Sequence, residues 1–188
     1  MFKFEETVLK PRMVELGFRR KNGYWVKTIN DELMANVSFG VAHFGVRGYS
    51  IVTPVIGIGN HEMNKIINQL LGKKNQYQPN MSFSLWLLDK SKTMRTMWEF
   101  VDGCDNTAML DEMFSNIMMY GTEFWTKMTD PDIFYENCLR LGDRTDIPVL
   151  YYMRGEKEKG LQYIEKYICQ HAKTDAWYLE FIENYKKL

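Results

Sequence analysis

The sequence predicts an α+β fold, an antiparallel sheet of about five strands with an N-terminal helix, followed by a C-terminal all-helical region. Three observations carry this expectation. Within residues 24–101, β-branched and aromatic residues cluster in short runs separated by turn formers, which is the pattern of strands. From Leu110 onward apolar residues recur at spacings of three and four, the period of helices that bury one side. The composition, 45% hydrophobic and 26% charged over 188 residues, is that of a chain with a core and not of a disordered one. A domain near this length buries roughly 70% of its unfolded surface. Residues 1–188 are therefore read as a single compact unit, with the sheet part at 1–103 and the helical part at 104–188.

Taken in order, Phe4, Val8, Met13 and Leu16 mark an amphipathic opening helix that Gly17 stops. Pro11 lies inside it and suits a first turn, so the main body begins there or the helix bends. Residues 24–27, 33–44 and 46–58 follow as a meander, with turns at Asn30-Asp31 and across residues 45–48. Pro54 lacks the amide hydrogen a central ladder uses, which predicts an edge or a bulge for the third run. Asn60 offers an N-cap for a helix over residues 61–71, closed by Gly72. Residues 73–80 read as loop, and residues 82–88 and 96–101 as the last two strands.

The helical part opens with one long helix, carried by Leu110, Met113, Phe114, Ile117, Gly121, Phe124, Trp125 and Met128. Asp130-Pro131 starts a second that ends before Gly142, and Pro148 starts a third that breaks near Gly155. Leu161, Ile164, Tyr167, Ile168 and His171 form one further stripe, and Trp177, Tyr178, Phe181, Ile182 and Tyr185 another, so the chain closes in a helical hairpin.

Charge and cysteine usage narrow the function classes. Lys plus Arg equal Asp plus Glu at 24 each, so the chain as a whole carries no attraction for phosphate backbones or acidic membranes. Cys104, Cys138 and Cys169 are odd in number, far apart and never spaced as C-x-x-C, which speaks for a reducing cytoplasm over a disulfide framework or zinc site. No secretion signal and no apolar stretch of membrane-spanning length is visible, and no motif implies a cofactor or a metal.

Several groups of residues invite a chemical reading. Lys10, Arg12, Arg19, Arg20, Lys21 and Lys27 gather around the first helix and its exit, interleaved with Tyr24 and Trp25. Cations beside aromatic rings can grip phosphates and stack bases, and the competing reading is a solvated turn beside core aromatics. Gly57-Ile58-Gly59-Asn60-His61-Glu62 could present amides to a phosphate, but Glu62 occupies the third glycine position, which leaves an ordinary turn and cap. His61-Glu62 lacks the second histidine of a zinc protease, since Lys65 stands there. Cys104 precedes a helix capped by Asp105, yet Asp102 and Asp105 oppose its thiolate, so it reads as inert. Asp111, Glu112, Asp130, Asp132, Asp143 and Asp146 fall mostly at helix starts and read as caps, and the methionine-rich long helix reads as core.

The run Leu9-Lys10-Pro11, then Leu16-Gly17-Phe18-Arg19-Arg20-Lys21 and the aromatic Tyr24-Trp25, resembles the domain of unknown function 4304 family over the first half of the chain. That resemblance implies a bacterial cytosolic α+β protein; the family has no established activity, and no functional residue is carried over. Tyr151-Tyr152 to Gly155, with Gly160-Leu161, Ile164 and Tyr167, is similar to part of a tetratricopeptide helix pair, but it occurs once, and a solenoid needs repeats. The functional expectation is a non-enzymatic protein-interaction module whose partner is another protein. Two alternatives stand beside it. One is a small-ligand binder or enzyme with a cleft between sheet and helices, where His43, Arg47 or Cys104 converge; the other is nucleic-acid binding through Arg19, Arg20, Lys21, Tyr24 and Trp25.

Overall fold

The computed structural model describes residues 8–43, 48–74, 76–170 and 175–188. Helix α1 (Lys10–Glu15) carries Pro11 in its first turn, as its fixed φ favours, and Gly17 leaves it at φ 84°. The remaining elements follow in the order β1 (Arg19–Lys21), β2 (Tyr24–Thr28), β3 (Leu33–His43), β4 (Tyr49–Asn60), α2 (His61–Leu71), β5 (Met81–Ser84), a 3-10 turn (Leu85–Leu88), β6 (Trp98–Val101), α3 (Thr107–Lys127), α4 (Pro131–Leu141), α5 (Asp146–Met153), α6 (Lys157–Gln170) and α7 (Ala176–Lys186). This is the expected antiparallel α+β region followed by an all-helical one. Residues 1–7, most of the turn expected at residues 45–48, and His171 lie outside the described residues.

The sheet has six strands, in the order β1-β2-β3-β4-β5 with β6 also on β4. The strand beyond the expected five is β1, three residues that read as the exit loop of the first helix. It forms because Asn22 and Gly23 both take positive φ, 48° and 89°, and close a two-residue hairpin that pairs Lys21 with Tyr24 and Arg20 with Trp25. The predicted strand over residues 82–88 is shorter than expected, since its second half coils into the 3-10 turn.

Pro54 is neither at an edge nor at a bulge. It lies in β4, which pairs with β3 along its whole length on one side. On the other side β4 pairs with β6 through residues 49–52 and with β5 through residues 55–58. The proline falls in the gap where β4 changes partner, the one place in a central strand where a missing N–H costs no ladder bond.

Alternation along β3 divides its side chains between two environments. Leu33, Ala35 and Val37 join the main core with Trp25, Ile56, Ile58, Met13, Phe18 and the inner faces of α2 and α3. Asn36 instead meets the loop at residues 77–80, its Nδ2 donating to the Tyr77 carbonyl at 2.8 Å, and Met34 Cε lies beside Gly59. This loop sits so close that a Cβ on Gly57 would lie 2.7 Å from Pro79 Cβ, and one on Gly59 2.7 Å from the Gln78 oxygen. The two glycines that suggested a phosphate loop are there for close backbone approach. Trp125 of α3 donates from its indole nitrogen to the Gly57 carbonyl at 2.8 Å, fixing the long helix to the same strand.

A buried polar network joins the sheet to the helical region. Asn60 caps α2, its Oδ1 accepting the Met63 amide at 2.9 Å, and Gly72 closes the helix in the left-handed region. The Asn60 amide donates to Asn80 Oδ1 at 2.7 Å, and Asn80 Nδ2 donates to Asn64 Oδ1 at 3.0 Å and to Asp146 Oδ1 at 2.9 Å. Asn64 Nδ2 donates to the Gln78 carbonyl, and Asp146 Oδ2 accepts the Asp143 amide at 3.2 Å. Asp143 is the cap of α5, accepting the amides of Thr145 and Asp146. Asp146, expected as another cap, is 5% exposed, and burial, then the neighbouring Asp143 carboxylate, push its pKa up to about 7.

The C-terminal helices close on α2 and α5. Tyr178, Phe181 and Tyr185 stack along the buried side of α7, with ring centroids 5.5 and 6.0 Å apart. Tyr185 Oη donates to the Pro148 carbonyl at 2.8 Å and lies 2.1 Å from where a Cβ on Gly160 would be. Arg144 clasps the same helix: its guanidinium pairs with Asp175 at 2.6 Å, donates to Tyr167 Oη, and lies 4.3 Å from the Trp177 ring centroid. Asn184 Nδ2 donates to the Leu70 carbonyl, tying α7 to the end of α2.

Two outcomes follow for stability measured by denaturant unfolding. Gly160→Ala should cost about 2 kcal/mol by overpacking and Tyr185→Phe about 1 kcal/mol, while the double variant should lose less than the sum, because removing the oxygen relieves part of the clash. Asp146 has a folded pKa raised above its ordinary 3.8, so its contribution is fully present below about pH 4 and is lost as pH rises through about 7. Stability should therefore fall by about 4 kcal/mol for this group alone across that window, and Asp146→Asn should flatten the fall.

Candidate functional site

The turn out of α1 and the β1–β2 hairpin together shape a concavity of about 510 Å³, lined by Lys10, Val14, Gly17, Phe18, Arg19, Arg20 and Trp25. Proline-started α1 carries Lys10 and Val14, the left-handed Gly17 reverses the chain, and the Asn22-Gly23 hairpin lays Arg20 across from Trp25. No carboxylate contributes to the lining among the described residues. Arg19, Arg20 and Lys21 are all exposed, and Val14 is 58% exposed. The Arg20 guanidinium lies 5.8 Å from the Trp25 ring centroid.

The sequence-predicted residues divide among different places. Arg19, Arg20 and Trp25 meet in this concavity; Lys21 and Tyr24 face each other at the hairpin tip, with the Lys21 ammonium 5.8 Å from the Tyr77 ring. Trp25 is 3% exposed, a core residue that presents no open ring face. Two other cations of the predicted patch hold the fold: Lys27 Nζ donates to the Leu16 carbonyl at the end of α1, and Arg12 pairs with Asp111 of α3 at 2.6 Å. His43 ends β3 opposite Ser50, at the sheet end where Cys104 follows β6, and Arg47 lies outside the described residues.

A second concavity, about 290 Å³, lies between the end of the sheet and the helices. Met63, Met128, Phe134 and Leu150 supply its buried apolar walls, and Glu32, Asp132 and Arg154 its charges. Arg154 is 4.0 Å from the Tyr135 ring centroid and 3.5 Å from Asp132, so its charge is already matched. Burial raises the Tyr135 pKa, with Glu156 adding to the effect. Sequence reasoning named none of these as a site, and Cys104 is not among the residues that line this cleft. Its residues come from five separate elements, which no local motif could announce.

Among the described residues no group of three or more His, Cys, Asp or Glu could hold a metal ion. Cys138 is fully buried in α4, and burial, then the charge of Asp146, hold its thiol far above the ordinary range. Cys104 and Cys169 are exposed. Among the same residues no helix is long and apolar enough to cross a membrane.

No family model, no curated protein and no solved structure matches the chain. The likeness of the opening segment to the domain of unknown function 4304 family thus rests on its short motif alone. The site is accordingly argued from geometry.

Thiol titration with an aromatic disulfide reagent tests the cysteine environments. Two thiols, Cys104 and Cys169, should react in the native protein and the third only after unfolding.

Proposed function

We propose that the protein is a non-enzymatic protein-interaction module that docks a protein partner through the basic concavity beside β1. One observation carries the reading: Lys10, Arg19 and Arg20 line a concave surface whose exposed apolar residue is Val14, and among the described residues no carboxylate lines it. Cations around an apolar recess select an acidic partner surface and speed its encounter. The nucleic-acid alternative asks for an exposed aromatic face on which bases stack, and Trp25 is a core residue here. A zero net charge also withholds the long-range attraction that phosphate backbones exploit. For the small-ligand alternative, the cleft near Arg154 is smaller than most ligand pockets and its one cation is spent on Asp132 and Tyr135. The setting proposed is the cytoplasm, where three unpaired cysteines remain reduced.

The test is affinity capture from lysate of the source cells with the native chain and with Arg19→Glu in parallel, eluting with rising salt. A protein held stoichiometrically by the native chain, released by salt and lost from the variant is the expected result. Capture that is indifferent to Arg19→Glu, or recovery of nucleic acid in place of protein, would remove the basic concavity from the account.

A further inference from the structure

We infer that the 3-10 turn and the loop after it form a contact for an anionic lipid surface, with Trp86 and Leu87 entering the headgroup layer and Lys90 and Lys92 meeting lipid phosphates. These residues lie on elements other than those of the basic concavity, so the inference stands apart from the docking reading.

Three residues complete each turn of a 3-10 helix, so Leu85 and Leu88 fall on one face. That face is the inner one: Leu85 belongs to the core and Leu88 packs against it, while the turn rests on α3. Trp86 and Leu87 are therefore turned away from the core, and they are 37% and 54% exposed. One exposed apolar side chain is ordinary on a protein surface. Two in succession on a projecting turn, one of them an indole with an apolar body and a polar N–H, match the layer between water and acyl chains.

The next residues are fixed by Asp89, which is 5% exposed. Its Oδ1 accepts the Ser91 hydroxyl at 2.6 Å and the Ser91 amide at 2.9 Å, and its Oδ2 accepts the amides of Met94 at 2.8 Å and Thr93 at 2.9 Å. These bonds, the Ser91 hydroxyl foremost, hold the carboxyl below the usual carboxylate range and turn its charge into the loop. Lys92 is kept at φ 57°, a left-handed conformation that lysine seldom adopts. Lys90, Ser91, Lys92 and Thr93 are all exposed. On the adjoining α3, Glu123 pairs with Lys127 and Glu112 with Arg95. Lys127 lowers the Glu123 pKa and Lys90 adds the smallest share. Neither Lys90 nor Lys92 is in an ion pair among the described residues. Lysines lay their apolar stems along a lipid surface while the ammonium groups reach its phosphates, and a projecting Trp-Leu pair enters that yielding surface without a matching recess. The zero net charge of the chain does not oppose such a contact, since charges beyond about 10 Å are screened.

The experiment sediments the full chain with vesicles of phosphatidylserine and phosphatidylcholine in equal parts, and with vesicles of phosphatidylcholine alone. Binding to the mixed vesicles, weakened by salt and lost on the neutral ones, is the expected result. Leu87→Glu should weaken it at least about tenfold, and Lys90→Ala and Lys92→Ala about fivefold each. All three are exposed positions, and circular dichroism of each variant checks that the fold is kept. Tryptophan emission locates the contact, because Trp86 and Trp177 are the exposed indoles. A blue shift on mixed vesicles should persist in Trp177→Phe and vanish in Trp86→Phe. Absence of binding to the mixed vesicles, or binding unchanged by Leu87→Glu and Lys92→Ala, would overturn the inference. Binding abolished by Arg19→Glu with the Trp86 shift missing would move the lipid contact to the basic concavity and overturn it equally. Capture of a protein that Leu87→Glu releases, with no vesicle binding, would give the turn to a protein partner instead.

Discussion

The buried polar network that links the sheet to α2 and α5 centres on the side chain of Asn80. A buried amide carries two donors and an acceptor that must all find partners, and each partner lost costs about 1–3 kcal/mol. Asn80 meets that requirement through three elements at once: the Asn60 amide at the end of β4, Asn64 on α2 and Asp146 at the start of α5. The sheet end, α2 and the start of α5 are thereby held in one relative position. Gly57 and Gly59 make this possible, because side chains there would lift the loop that carries Asn80 off the sheet. The network also explains why a carboxylate can sit almost fully buried at Asp146, since both its oxygens are hydrogen-bonded.

Much of this architecture was legible in the sequence, for local reasons. Asn60 and Gly72 bracket α2, Asp130-Pro131 starts α4, and the spacing of Met113, Ile117, Phe124 and Trp125 marks the buried face of α3. What escaped was set by contacts distant in the chain. Pro54 was placed at an edge because a single strand cannot reveal that two others share its flank. Asp146 was taken for a cap because its partner Asn80 lies 66 residues away. β1 is a different case: Asn22-Gly23 was a readable hairpin signal, overshadowed by the charge of the three residues before it.

The candidate site shows the same division. Arg19, Arg20 and Trp25, grouped by sequence proximity, line one concavity because a hairpin brings near neighbours together. Proximity alone could not sort their duties. Lys27 and Arg12 belong to the same basic run yet serve α1, one at its terminus and one in its tie to α3. Trp25 looked like a binding ring and is instead a wall of the core. Positive charge in a stretch of sequence is thus an upper bound on the charge that a surface can offer.

The divided flank of β4 has a dynamic meaning. Because β5 and β6 hold separate stretches of that strand, with a proline between them, the two ladders share no bond and can open separately. Opening at β6 loosens the end of the sheet that carries His43 and Cys104, while the ladder to β5 and the amide cluster beside it stay closed. Local opening on one side of Pro54 therefore breaks no hydrogen bond of the ladder on the other.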